Sequence, residues 1–302
     1  MTPVIIILYN RPLHTKKLLK SITQTKNYKK FKFYIFCDGP KNTEDIIKIE
    51  KIKKLINNFK DKCKVENFFR KKNVGLIKNV TDSINFVLKK NSKAIILEDD
   101  LILNNFFFDF MNDALSKYKH NSKVFQISGY SYPVKSLNDF HYFLPLTSCW
   151  GWGITSKNWK KFFKFLNNKK LIDNNYLKIK KSKSLIASFN FNNSYDYLSM
   201  LENTLNKKVN SWGIIFYLYL FVNDKITLFP YRSLVKNKGF DGTGNHKSKN
   251  NVFNTKFNTI KEYKFPKVSK DFSSTNKKVI KFFRSNLSLY GKLKNKIYEK
   301  FF

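Results

Sequence analysis

The sequence predicts an α/β protein: a Rossmann-like, mostly parallel sheet with helices on both faces. Three observations carry this. Four short apolar runs in the first hundred residues each end at a polar turn, and stretches with apolar residues at helical spacing lie between them. The residues with distinctive chemistry fall just after those runs. That places them at the carboxyl edge of a sheet, where open α/β folds bind ligands.

The elements follow in order. Val4-Ile5-Ile6-Ile7-Leu8, between Pro3 and Asn10-Arg11-Pro12, reads as a fully buried strand closed by a turn. Residues 13–26 carry Leu18, Leu19 and Ile22 at helical spacing, and 31–36 form a second strand closed by Cys37-Asp38-Gly39-Pro40. Asn42 and Thr43 can cap a helix whose apolar face is Ile46, Ile49, Ile52, Leu55, Ile56 and Phe59. A third strand over 65–69 leads through Asn73-Val74-Gly75 into an amphipathic helix over 76–88, then a fourth strand over 94–97. A Phe-rich helix from 106 and a strand over 124–128 continue the alternation. Residues 167–195, rich in Asn, Lys and Ser, read as an exposed insertion. The apolar run 212–222 is too short to span a bilayer and reads as a buried helix. No GxGxxG follows the first strand and no GxxxxGK[ST] occurs, which argues against dinucleotide and P-loop sites.

Fifty-eight Lys and Arg against 21 Asp and Glu give a net charge of +37. Nucleic acid, an anionic membrane and an anionic substrate would each suit such a charge. So would a codon bias favouring Lys, Asn, Ile and Phe, since the lysines are scattered along the whole chain. No nucleic-acid-binding module signature is present, which argues against that class. Cys37, Cys63 and Cys149 make no CxxC pair and predict free thiols in a reducing compartment. The chain opens in an apolar strand without a basic leader, which predicts a cytoplasmic protein. Residues 277–302 combine apolar and basic residues at amphipathic spacing. They predict either docking on the domain or peripheral attachment to the inner membrane face.

Against that basic background, Leu97-Glu98-Asp99-Asp100 stands out, because an apolar run ends abruptly in three carboxylates. Adjacent acids raise one another's pKa unless a cation neutralises them, so the cluster predicts a divalent-metal site for a phosphorylated ligand. Trp150-Gly151-Trp152-Gly153 sets flat apolar rings beside backbone room, a pairing suited to a sugar ring. From Lys236 to His246, three glycines within six positions make a flexible loop of the kind that closes over a ligand.

These pieces, in this order, resemble the N-acetylglucosaminyltransferase I type of GT-A glycosyltransferase and related bacterial surface-polysaccharide transferases. The resemblance covers roughly residues 3–160 and 205–246. It rests on the opening strand and turn through Asn10-Arg11, on Ile35-Phe36-Cys37-Asp38-Gly39, on the Glu-Asp-Asp form of the acidic signature, on Trp150-Gly151-Trp152, and on the glycine loop.

The resemblance implies a GT-A domain over 1–262, with a nucleotide-binding half (1–103), an acceptor-side half (104–262) and a closing loop (236–246), then a basic tail (263–302). It implies a metal-dependent, inverting glycosyltransferase of hexosyl or N-acetylhexosaminyl type. Such an enzyme moves sugar from a UDP donor to a glycan or lipid-linked acceptor, as in polysaccharide or lipopolysaccharide biosynthesis. Asp100 would bind Mn²⁺ or Mg²⁺, with His246 a further candidate ligand. Glu98 and Asp99 would contact ribose or metal-bound water, and Asp38 the base. Asn10, Arg11, Gly242 and Gly244 would line the nucleotide, and Trp150, Trp152 and Trp212 the acceptor side. The sequence departs from the family at Asn210-Ser211-Trp212-Gly213, where the pattern calls for an acid. Asp241 is the substitute base, ahead of Glu202 and Asp196. The alternative is a glycosyltransferase-like protein that binds nucleotide or glycan without turnover.

Overall fold

The computed structural model describes residues 2–134, 140–242, 252–257, 264–268 and 273–287. The first half alternates as predicted: β1 (Pro3–Leu8), α1 (Pro12–Thr23), β2 (Lys32–Cys37), α2 (Thr43–Lys60), β3 (Lys64–Phe69), α3 (Leu76–Leu88) and β4 (Lys93–Glu98). The second half runs β5 (Leu101–Leu103), α4 (Phe107–Lys117), β6 (Val124–Ser128), β7 (Tyr142–Leu144), β8 (Trp152–Thr155), α5 (Ser156–Leu166), α6 (Lys169–Lys180), α7 (Lys183–Phe189) and α8 (Tyr197–Leu205). It ends with α9 (Trp212–Val222), β9 (Ile226–Phe229), β10 (Val235–Asn237) and α10 (Ser273–Leu287).

One eight-stranded sheet, in the order β3-β2-β1-β4-β8-β6-β9-β7, joins the two halves. Strands β3, β2, β1 and β4 are mutually parallel, as are β6 and β9. β8 enters antiparallel between β4 and β6, and β7 lies antiparallel on β9. All six residues of β1 are buried because it is flanked by β2 and β4, which explains its uninterrupted apolar sequence.

The predicted cap is present: the Asn42 side chain accepts from Asp45 N–H at 2.9 Å. β8 shows how the sheet is covered. A Cβ on Gly153 would meet Leu115 and Met111 of α4, whereas Trp152 packs on Trp159 of α5 and on Trp212 and Phe216 of α9. Successive strand residues face opposite sides, so α4 lies on one face of the sheet and α5 and α9 on the other. α9 buries Trp212 and every residue from Ile214 to Leu220, as an all-round apolar helix requires.

Residues 167–195, read as an exposed insertion, are mostly exposed or half-buried and form helices: Asn168 caps α6 and Ser182 caps α7, and Ile172, Ile179 and Phe189 are buried. In α10 the apolar face, Val279, Ile280, Phe283 and Leu287, is buried against the domain, with Phe283 on Tyr132 and Phe191. The stretch 277–287 is therefore docked, and its outward face is basic (Lys277, Lys278, Lys281, Arg284). Residues 288–302 of the predicted tail lie outside the described residues. Among the described residues no helix is long and apolar enough to cross a membrane.

His141, beside β7, ties this region down. Its Nδ1 accepts from Tyr231 N–H at 3.1 Å, which fixes the neutral ring. Burial pushes its pKa down to about 4. A depressed histidine leaves stability whole above its ordinary value near 6.5, and stability falls as the pH drops from there toward 4. The expected loss is about 3 kcal/mol. Urea titrations at pH 7 and pH 4.5 should show it, with a smaller drop in His141→Asn, which keeps an acceptor and cannot charge.

Candidate active site

Strand register assembles the site. β1 lies between β2 and β4, pairing Leu8 with Cys37 and Ile7 with Glu98. The three strands therefore end side by side, and the residues that follow them share one edge: Tyr9-Asn10-Arg11, Asp38, and Asp99-Asp100.

Arg11 is the hub. Its Nη2 is ion-paired with Asp99 Oδ1 and lies 3.1 Å from Asp100 Oδ2, while its Nε donates to Asp99 Oδ2 at 3.1 Å. Burial pulls the Arg11 pKa down, but the charges of Asp99 and then Asp100 hold it above its ordinary value. Burial raises the Asp99 pKa, although Arg11 opposes it. Glu98 is raised by burial and by the charges of Asp100 and Asp99. Burial and then the charge of Glu98 raise the half-buried Cys149 thiol, which lies against the start of α9: a Cβ on Gly213 would sit 3.6 Å from its Sγ.

β10 brings the glycine loop to this cluster. It pairs antiparallel with β5, Asn237 opposite Leu101, and Lys238 N–H then donates to the Asp100 carbonyl at 2.8 Å. Gly239 lies flat on the Asp100 carboxylate, leaving no room for a Cβ, and its N–H bonds Asn237 Oδ1 at 2.7 Å. Asp241 then reaches His14 of α1, Oδ2 to Nε2 at 3.0 Å. Gly242 has φ +88°, a conformation glycine adopts freely. Gly244 and His246 lie outside the described residues.

Asp38 is placed at the crevice but is heavily engaged. Its carboxylate accepts from the N–H groups of Gly39 (2.8 Å), Val74 (2.9 Å) and Gly75 (3.0 Å). About one of its four acceptor positions is left for a ligand. Asp38→Ala would strand three donors, so we expect it to cost about 3 kcal/mol in chemical denaturation, whatever it does to nucleotide affinity.

Asn10 and Tyr9 both donate to Asp45, at 2.6 and 2.5 Å, and Lys41 N–H joins them at 2.9 Å. Asp45 thus ties the turn after β1 to the turn after β2. The sequence reading missed Asp45, although an acid in the first turn of a capped helix near Asp38 was visible. It also missed His14, whose signal was its place three residues after Arg11.

The tryptophans separate. Trp152 and Trp212 are core residues with 0% and 4% exposure, a correction to their expected place on the acceptor side. Gly-Trp alternation in a sheet centre serves packing here: glycine admits α4 while tryptophan fills the other face. Trp150 alone keeps exposed ring surface and packs edge-on against Phe240 of the glycine loop and against Tyr130. Glu202 and Asp196 are occupied elsewhere, Glu202 by Tyr176 and Lys180, Asp196 as the cap of α8.

Among the described residues no three His, Cys, Asp or Glu side chains form a metal-binding group. A divalent ion nevertheless fits the charge balance, since two carboxylates, Asp99 and Asp100, pair with the single charge of Arg11 in a largely buried place. Mg²⁺ and Mn²⁺ need few protein ligands when phosphate oxygens and water supply the rest. Of the two carboxylates, Asp100, only 15% exposed, is the one that Arg11 holds less, through a single contact at 3.1 Å. A cavity of about 350 Å³ beside α10 is lined by Val134, Phe282, lysines and polar groups, and includes none of these residues.

The sequence matches no known protein family profile and no curated protein. Solved structures resemble the fold distantly. S. aureus TarS in complex with UDP is 11% identical over 59% of this chain and 55% of that chain, at TM-score 0.41. Mouse xyloside xylosyltransferase 1 is 12% identical over 59% of this chain and 75% of that chain, at TM-score 0.38. A UDP-glucose pyrophosphorylase complexed with UDP-glucose is 9% identical over 54% of this chain and 80% of that chain, at TM-score 0.33. The matched region spans 30% to 55% of the TarS chains. Likenesses this distant do not assign chemistry, which rests on the residues above.

Proposed function

We propose that this protein is a glycosyltransferase that moves a sugar from a nucleoside-diphosphate donor, of UDP type, to a hydroxyl of a glycan or lipid-linked acceptor, with inversion. The observation that carries this is the meeting of Arg11, Asp99 and Asp100 at the carboxyl edge, with Gly239 of the glycine loop against Asp100 and Asp241 of the same loop on His14. A buried acidic cluster under a backbone-rich loop suits a diphosphate held with a cation.

In this reading Asp38, Asn10 and the turns they organise hold the nucleoside, and Arg11 neutralises charge growing on the departing diphosphate. Asp100 would hold Mn²⁺ or Mg²⁺, which when bound supplies Lewis-acid stabilisation of the diphosphate. Glu98 and Asp99 shape that end of the site. Asp241 takes the acceptor proton as general base. Trp150 and Phe240 offer the acceptor an aromatic wall. The basic outer face of α10 suits peripheral attachment to an anionic membrane surface.

The test is hydrolysis and transfer with UDP-glucose, UDP-galactose and UDP-N-acetylglucosamine in the presence of Mn²⁺. Turnover of at least one donor, lost on chelation, is expected. The start of α9 carries Ser211 and Trp212 rather than an acid, which favours a second reading as a nucleotide-binding protein without turnover. Calorimetric UDP binding with no reaction of any donor would select it.

A further inference from the structure

The first turn of α1 does two jobs at once. Arg11 and His14 are three residues apart, hence neighbours on one helix face. The turn is rigid: Pro12 opens it, and Thr15 bonds the Arg11 carbonyl through both N–H and Oγ1 at 3.0 Å. From it the guanidinium reaches the acid cluster and the imidazole reaches the glycine loop.

His14 is 8% exposed, so its ring has little freedom to choose another partner. Its Nε2 faces two acceptors, Asp241 Oδ2 at 3.0 Å and the Lys238 carbonyl at 3.3 Å. An atom between two acceptors must carry a hydrogen, so Nε2–H donates and the ring serves as an orienting donor. Asp241 itself stands on a loop, four residues past the end of β10, with its side chain 44% exposed. Backbone pairing fixes the loop as far as Lys238, and the Asn237 side chain holds the Gly239 N–H. The imidazole fixes the carboxylate beyond it.

We propose that His14 is the positioning residue for Asp241, holding its carboxylate toward the acceptor hydroxyl. This rests on the transferase reading above. In the step it serves, the Asp241 carboxylate takes the hydroxyl proton and the acceptor oxygen bonds the anomeric carbon. The bond from that carbon to the β-phosphate oxygen breaks, its electron pair leaving with the nucleoside diphosphate. Water follows the same path in donor hydrolysis, so an unidentified acceptor does not block the test.

The experiment compares full-length wild type, His14→Ala, His14→Gln and Asp241→Asn in UDP-sugar hydrolysis with Mn²⁺, alongside UDP binding by calorimetry. His14→Ala is expected to lower kcat about 10- to 100-fold, with donor KM and UDP affinity within about twofold of wild type. His14→Gln, whose amide N–H can replace Nε2–H, is expected to recover most of the loss. Ring ¹⁵N spectra should show Nε2–H at His14 and a changed resonance in Asp241→Asn, which also serves if His14→Ala does not fold. Wild-type kcat in His14→Ala, a loss of UDP affinity at unchanged kcat, a His14→Gln variant as slow as the alanine variant, or a His14 resonance indifferent to Asp241→Asn would each overturn the proposal while leaving the transferase reading standing. A wild-type protein that binds UDP and turns over no donor overturns both.

Discussion

Asp100→Ala is expected to lower turnover of a nucleotide sugar about 10²- to 10³-fold, on the scale of losing one group that stabilises growing negative charge. The fold should hold. Asp99 keeps its two-point contact with Arg11, and Lys238 N–H bonds the Asp100 main chain, which the substitution leaves in place. Removing one of three clustered carboxylates also relieves repulsion, so metal-free stability should not fall. Steady-state kinetics with a matched thermal melt checks both halves. Wild-type turnover in Asp100→Ala would remove this residue from the reaction and with it the metal site proposed here.

Trp152→Ala should show the opposite profile, a stability defect. Its ring is wholly buried, between Trp159, Trp212 and Phe216. Truncating such a side chain costs about 3–5 kcal/mol, a large part of the roughly 5–15 kcal/mol that holds a typical domain. Trp150→Ala, in contrast, removes a ring at the edge of the glycine loop and should melt closer to wild type while altering transfer. Urea unfolding of the two variants separates a core role from a surface one. Equal stability of Trp152→Ala and wild type would contradict the packing described here.

What was legible in the sequence follows from how local the signal is. The first four strands and three helices were readable because parallel strands buried on both faces are uninterrupted apolar runs, and their helices keep one apolar stripe. Of the later strands, β6 (Val124–Ser128) was read and the others were not. β5, β7, β8, β9 and β10 are three or four residues long, and partners far away in sequence stabilise them. Trp152 shows the same limit within one residue. Its neighbours in sequence, Gly151 and Gly153, suggest an open surface, and only the sheet reveals that α4 fills the space beside Gly153. The acid cluster was conspicuous because three carboxylates interrupt a basic chain, but the cation already facing them, Arg11, lies 88 residues away.

The sequence by itself determined the α/β class, through the alternation of apolar runs and amphipathic stretches over the first hundred residues, and the carboxyl-edge location of Asp38 and Glu98-Asp99-Asp100, each of which follows directly on an apolar run. Tertiary structure alone decided that Arg11 bridges Asp99 and Asp100, that Asp38 is bound to three backbone N–H groups, that Gly239 lies against Asp100, and that His14 meets Asp241. The physical reason is that charge pairing and close contact act over a few ångströms of space. Two of the groups joined here, the His14 ring and the loop carbonyl of Lys238, stand 224 residues apart along the chain.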